Sequence, residues 1–465
     1  MRFDVINQTR RNAVIIGFAA IFAPALGALV SITQFGYFQI LLAILGIAGI
    51  FIVVLGSRGI RIGYLVFVLT LALGYRTLDF GNLYQIHPAE ALIWTLGGLL
   101  VAERILTRQS IQFRLPLWIW LSIPFWLWGL WLGLQSERNI PNVLIELRVF
   151  LFLLPLFFVT EFVLAEPKYW RFVILAFVGA TFYIAVMGLV EVLFPQVQGL
   201  FGGYVSNVHS LITNEGFARA PFSFWGTEDA IFASVLGIPF LIFLWYVYPH
   251  TATRVLFILI FIVELLALYF SGHRDAWFFF ASQIVILSTL LRRASWAFVI
   301  LAFLILFVFI APRIIPESAL QRTMTIVMAA QGEITDSSTE KRISRASNAV
   351  SAIIAHPQGS GWTSAGWVHS DFLQLAVNLG IAPGIVFFIG YCATLFYLVR
   401  QSWRAPPFSR EHLFGTALVL AFLGVGGMLT VESTIVLIQL VLPVWLIWAL
   451  VVSWLWLDPK IQNLI

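Results

Sequence analysis

Runs of about 20 mostly apolar residues recur along nearly the whole chain, each long enough to cross the hydrocarbon core of a bilayer as a helix. They fall near 88–106, 115–134, 142–164, 172–194, 227–248, 255–271, 275–291, 295–311, 372–399, 413–430 and 434–457. Shorter or less regular runs at 13–32, 37–56 and 62–78 bring the count to about 12–14. Within hydrocarbon a chain must satisfy its own backbone polar groups, so only helices and closed barrels span, and runs of this length select the helix. The expectation is an all-α, polytopic transmembrane protein. Composition agrees: 60% of residues are hydrophobic and 11% charged, where a soluble domain has about half and about a quarter, which excludes a water-soluble globule. Cys392 is the single cysteine and lies in an apolar run, so neither an internal disulfide nor a thiolate metal site is expected. The N-terminal MRFDVINQTRRN has a basic flank without a small-residue cleavage pattern and reads as the start of a retained span.

Charge distribution orients the spans. With Arg2, Arg10 and Arg11 in the cytoplasm, alternation puts Arg104, Arg108, Lys168, Arg254, Arg292, Arg400, Arg404 and Arg410 on the same side. The short outside segments hold only Arg76, Arg138 and Arg274, as the positive-inside rule requires, and both termini are then cytoplasmic. The division expected is a transmembrane bundle over 1–311 with an outside loop near 195–226, a long helical extracytoplasmic loop over 312–368, and C-terminal spans over 369–465.

The long loop carries a helix signal. Ser337 and Glu340 form a capping box that opens a run to Ala355 free of Gly and Pro. Ile343, Ala346, Val350 and Ile353 make an apolar stripe, and beside it Arg342, Arg345, Ala349, Ala352 and His356 share one line. Pro357, Gly359 and Gly361 end that helix. After His369, Ser370 is positioned to cap a second helix that stops near Gly380, before Pro383.

Several residues can carry chemistry. Arg274, in Ser-Gly-His-Arg-Asp between two spans, sits outside against the charge bias. Arg148 lies inside a span, where a central charge costs about 2.5–3.5 kcal/mol on insertion scales. It either pairs with Glu146 or another span's carboxylate, or faces an outside cavity and binds an anion. Arg219 closes the other long loop, and Glu228 and Asp229 follow at a span's first turn, as helix-dipole partners or as a base and sugar ligand. His369, Ser370 and Asp371 form an outward helix N-terminus suited to phosphate, with the imidazole as base or donor. His356 is either a helix stop or a further ligand, while His87 and His209 read as ordinary loop residues and Glu191, Glu264 and Glu432 as partners for buried arginines. No Walker loop, GxSxG elbow, HExxH motif or carboxylate pair at a span mouth occurs. A site built from Arg and His, with neither metal nor cofactor, is therefore expected, because arginine binds phosphate bidentately.

These motifs together resemble the O-antigen ligase and O-antigen polymerase-like membrane proteins of bacteria. The pattern is Arg342 on a loop helix, His356-Pro357, Gly359-Ser360-Gly361, then His369-Ser370 and DFLQLAVNLGI, with Arg274 between two spans and Arg219 before another. The likeness covers roughly residues 140–450. Departures are serine after His369, His273 before Arg274, and Glu228-Asp229 where asparagine is common.

The resemblance implies a GT-C-like, metal-independent inverting glycosyltransferase of the bacterial inner membrane with its site facing outward. Its donor would be an undecaprenyl-diphosphate-linked oligosaccharide or polysaccharide and its acceptor a glycan or lipid A-core, with membrane lipids around it and no nucleic acid. Arg274, Arg342, Arg345, Arg219, Arg148 and His356 are the diphosphate-binding candidates; His369 is the catalytic candidate, with Asp371 or Glu228 as fallback base. The rival readings are a transporter or flippase of lipid-linked glycans, which predicts repeats and broken midplane helices, and a membrane sensor or scaffold.

Overall fold

The structure, a computed structural model, describes residues 56–73, 78–79, 85–111, 114–136, 140–194, 226–271, 274–291, 337–364, 368–431 and 438–457. The expected spans at 13–32 and 295–311, nearly all of that at 37–56, nearly all of the loop near 195–226 and about half of that over 312–368 lie outside the described residues. Fourteen α-helices are described: α1 (Ser57–Thr70), α2 (Pro88–Leu106), α3 (Leu117–Gln135), α4 (Ile140–Leu151), α5 (Leu153–Leu164), α6 (Pro167–Leu193), α7 (Gly226–Val247), α8 (Thr251–Ser271), α9 (Arg274–Leu290), α10 (Ser337–Ala355), α11 (Asp371–Leu379), α12 (Ile381–Arg404), α13 (Arg410–Val431) and α14 (Ile438–Trp456). Leu78–Asp79 and Gln85–Ile86 add a two-residue antiparallel pair.

Six helical stretches are long and apolar enough to cross a membrane: Leu117–Gln135, Asn142–Leu164, Pro167–Glu191, Thr251–Ser271, Ile381–Arg404 and Arg410–Thr430. Parts of α7, α9 and α14 are apolar too but shorter. Apart from the short β pair the described chain is thus a helical, membrane-embedded bundle. Its centre is α13, with 89% of the span window buried, and α8 is peripheral at 28%.

Two junctions have local causes. The span expected over 142–164 is interrupted at Phe152, between α4 and α5; Pro155 offers no N–H to Leu151 and its ring crowds that carbonyl. At Gly380 the backbone turns to φ 109°, which stops α11 and lets α12 start at once.

Contacts along the helices fix their directions. Gln283 Nε2 of α9 donates to Val235 O of α7 (3.0 Å) and to Leu420 O of α13 (2.8 Å), and the Phe243 ring of α7 packs 4.8 Å from that of Phe414. Tyr391 of α12 donates to Phe422 O (3.1 Å), and Ser402 meets Thr416 a few turns on. Residues rise on α7, α9 and α12 as they fall on α13, so α13 is antiparallel to all three. The starts of α7, α9 and α12 therefore share the end of the bundle where α13 finishes.

Only part of the apolar stripe on α10 packs. Ile343 and Val350 are exposed, while Ala349 is buried against Val368 and Val377, with Ala352, Ile353 and Leu373 alongside. The small side chains on the arginine line allow closer approach to α11 than the branched ones do. Elsewhere, Glu264, expected to pair with a buried arginine, accepts from the Thr181 hydroxyl (2.7 Å) instead. His87, read as an ordinary loop residue, caps α2: its Nδ1 accepts from Ala89 N–H (3.1 Å).

Candidate functional site

The segment from His356 to Gly380 is built on backbone contact. Helix α11 ends with unsatisfied carbonyls, as every helix does, and the preceding loop supplies their donors. Ser360 N–H donates to Val377 O (3.0 Å) and Gly361 N–H to Asn378 O (2.8 Å), while Ile381 N–H returns to Pro357 O (3.0 Å). This closeness explains the Gly-x-Gly spacing. Gly359 and Gly361 have φ near 89° and 90°, and a Cβ on Gly361 would lie 2.5 Å from Gly133 N of α3. No side chain fits between backbones so close, and that conformation disfavours one in any case.

Tryptophans and a carboxylate tie the loop down. Trp362 is fully buried, its Nε1–H donating to Trp126 O (3.0 Å) and its ring 5.4 Å from that of Phe150. Trp128 Nε1–H donates to Gln358 O (3.1 Å). Glu146 Oε2, buried on α4, accepts from Thr363 N–H (2.8 Å) and from Asn378 Nδ2 (2.9 Å), and Ser364 donates to Asn378 Oδ1 (2.9 Å). A single carboxylate thus joins the loop and α11 to the bundle. The sequence names Glu146 only as a partner for Arg148; Trp362 and Asn378 carry no local signal at all.

On this frame the structure brings together two of the expected site residues. Arg345 Nη1 of α10 lies 2.7 Å from His369 Nε2. A guanidinium can only donate, so His369 Nε2 takes the acceptor role in this contact. His369 itself has φ 58°, an uncommon conformation for a residue with a side chain and one that collects at functional positions. Ser370 stands at the N-cap of α11 with an extended backbone, but its hydroxyl makes no capping bond.

The remaining candidates divide. Arg342 is half-buried on the same helix line as Arg345, and His356 is exposed at the end of α10. Asp371 is buried in the first turn of α11, where a carboxylate complements the helix dipole. Arg148 is buried with Nε 3.0 Å from Glu90 Oε1, so a carboxylate from another helix faces it. Arg274 opens α9 and Glu228 falls in the first turn of α7; both helix starts lie at the same end of the bundle as α11. Arg219 lies outside the described residues, as do the loop histidines His209 and His273 and the span-end Glu432. Among the described residues no three of His, Cys, Asp and Glu converge as a metal ion would need.

Fold and site together define a helical membrane protein with an Arg–His pair held over one mouth of its bundle. No family model, curated protein or solved structure matches the chain.

Proposed function

We propose that the chain is a membrane glycosyltransferase of the O-antigen ligase or polysaccharide polymerase kind, transferring a glycan from an undecaprenyl-diphosphate carrier to an acceptor glycan or lipid A-core on the outer face of the bacterial inner membrane. The observation that carries this reading is the contact between Arg345 and His369, 2.7 Å long, at a strained backbone position beside the membrane entrance. Such a donor keeps its lipid in the bilayer, its diphosphate at headgroup level and its sugar in water. That geometry calls for an apolar body with cations at its mouth.

In the reaction the acceptor hydroxyl attacks the anomeric carbon and the C–O bond to the diphosphate breaks, with inversion. Charge gathers on the leaving diphosphate, and arginines held in place stabilise it. Arg342, Arg345, Arg274 and Arg219 are the residues proposed for that role. An arriving diphosphate competes for Arg345, releasing His369 Nε2 to take the proton of the acceptor hydroxyl. Binding of the donor thereby prepares the base.

Transfer assayed in membranes with a purified lipid-linked donor tests the reading. His369→Ala and Arg345→Ala are expected to lower transfer by about 100-fold or more, the scale of a lost general base or charge stabiliser, and Arg345→Lys to recover part of it. Near-wild-type product from His369→Ala removes the proposed role of the histidine. Movement of the lipid-linked glycan across sealed vesicles with no new glycosidic bond would make the chain a transporter instead.

A further inference from the structure

At the other end of α12 lies a cavity of about 720 Å³ that this reaction does not use. Tyr397, Arg400, Gln401 and Arg404 line it from α12, Glu411 from the start of α13 and Trp456 from the end of α14. Helix α12 has 24 residues, about 36 Å at 1.5 Å per residue, whereas the hydrocarbon core is about 30 Å thick. The cavity therefore sits at the headgroup level opposite His369, on the side that the loop charges assign to the cytoplasm.

Two observations converge there. Arg400, Arg404 and Glu411 all face the cavity, yet none of the three forms an ion pair among the described residues. Arg400 and Arg404 are exposed and Glu411 half-buried, so charges of both signs line one wall within reach of a ligand. The second observation is the surface leading to them. Ile385, Ile389, Phe396 and Arg400 follow one another at helical spacing on α12, and the three apolar members are 51%, 58% and 61% exposed. That stripe offers a track for an acyl chain and ends at the guanidinium, while Tyr397 and Trp456, both exposed, stand at the rim where amphipathic rings settle in membranes.

We propose that this cavity binds the headgroup of a membrane phospholipid carrying both a phosphate and a primary ammonium, of the phosphatidylethanolamine class. Arg400 and Arg404 take the phosphate, for which guanidinium geometry is suited; Glu411 takes the ammonium; and the stripe above Arg400 takes one acyl chain. A headgroup with phosphate alone leaves Glu411 facing a like charge, and a quaternary ammonium offers it no hydrogen bond. Basic pockets between helices on the cytoplasmic side are a common way of holding lipid headgroups.

Delipidated full-length protein in detergent is titrated with phosphatidylethanolamine, phosphatidylglycerol, phosphatidylcholine and inorganic pyrophosphate, and lipid retention is read by native mass spectrometry. Phosphatidylethanolamine is expected to be retained best. Arg400→Gln with Arg404→Gln should weaken its retention about tenfold, the scale of lost charge-assisted hydrogen bonds, while the Lys pair keeps more of it. Glu411→Gln should erase the preference over phosphatidylglycerol. Retention unchanged in the Gln pair, a preference unchanged in Glu411→Gln, or pyrophosphate displacing the lipid at equal concentration would each overturn the proposal, the last by making this a site for a soluble anion. Thermal melts of the variants without lipid show that loss of binding is not loss of fold.

Discussion

The two ends of α12 solve opposite problems. At Gly380 the chain is locked by backbone against backbone: loop amides fill the carbonyls of α11, and glycines at positive φ let strands of loop and helix touch. At Arg404 the helix ends in an open cavity whose character comes from side chains. One end is a frame that presents a few residues, His369 and Arg345 above all; the other is a surface whose charges await something else. The lesson is that rigidity here belongs to the end proposed for chemistry, where a misplaced imidazole costs most. The clearest way to test the locked end is to put a methyl group into it and, as a control, into an open position of another helix.

Gly361→Ala should have the largest effect. Its Cβ would meet Gly133 N at 2.5 Å, and its φ of 90° strains any side chain. Backbone cannot yield as a flexible side chain does, so a loss of roughly 3 kcal/mol or more is expected, with poorly folded protein in detergent. Monodispersity and thermal melting check it. Gly98, by contrast, has open space around it, and Gly98→Ala should leave the melting temperature unchanged or raise it slightly. Equal tolerance at both glycines would remove the idea of a locked frame.

Glu146→Ala comes next. It strips the acceptor from Thr363 N–H and Asn378 Nδ2 together, and buried donors without partners cost about 1–3 kcal/mol each. A loss of about 3 kcal/mol is expected in a chemical or thermal melt. Glu146→Gln, which can keep an oxygen on both donors, should lose much less. If both variants melt alike, the carboxylate does not tie the loop to the bundle.

Much of this frame was legible from local pattern, and the limits of that reading are physical. The expected capping serine and the absence of Gly and Pro up to Ala355 place α10 within a residue of its bounds, because helix starts and stops are local events. Gly380 and Pro383 mark the break before α12 for the same reason. Helical period puts Arg342 and Arg345 on one line of α10, whereas the approach of Arg345 to His369 depends on how α10 packs against α11. Which face of α10 packs did not follow, since Ile343 and Val350 are apolar at the right spacing but the neighbour prefers the smaller Ala349. Glu146 is more than two hundred residues from both Thr363 and Asn378 along the chain, so their network arises only when the bundle closes. The cavity at Arg404 is of the same kind, being made by three helix ends at once.

Trp362→Phe should have an intermediate effect. The ring stays in contact with Phe150 while the bond from Nε1 to Trp126 O is lost. The carbonyl left behind and the smaller ring predict a loss of about 1–2 kcal/mol. A melt unchanged by this substitution would mean that the loop is held by its backbone alone.

The smallest effect is expected where general rules predict a larger one. Ser370 occupies the N-cap of α11, and replacing an N-cap serine by alanine costs typically about 1 kcal/mol through the lost bond to a helix amide. Here the hydroxyl makes no such bond. Helix α11 is instead held by Glu146 through Asn378 and by the loop amides at its far end, so Ser370→Ala should lower stability by less than about 0.5 kcal/mol, the range of an ordinary surface change. Denaturant melts of the two proteins side by side decide it. A full cap-sized loss would show that the start of α11 depends on its own side chain, and that the frame proposed to hold His369 is local after all.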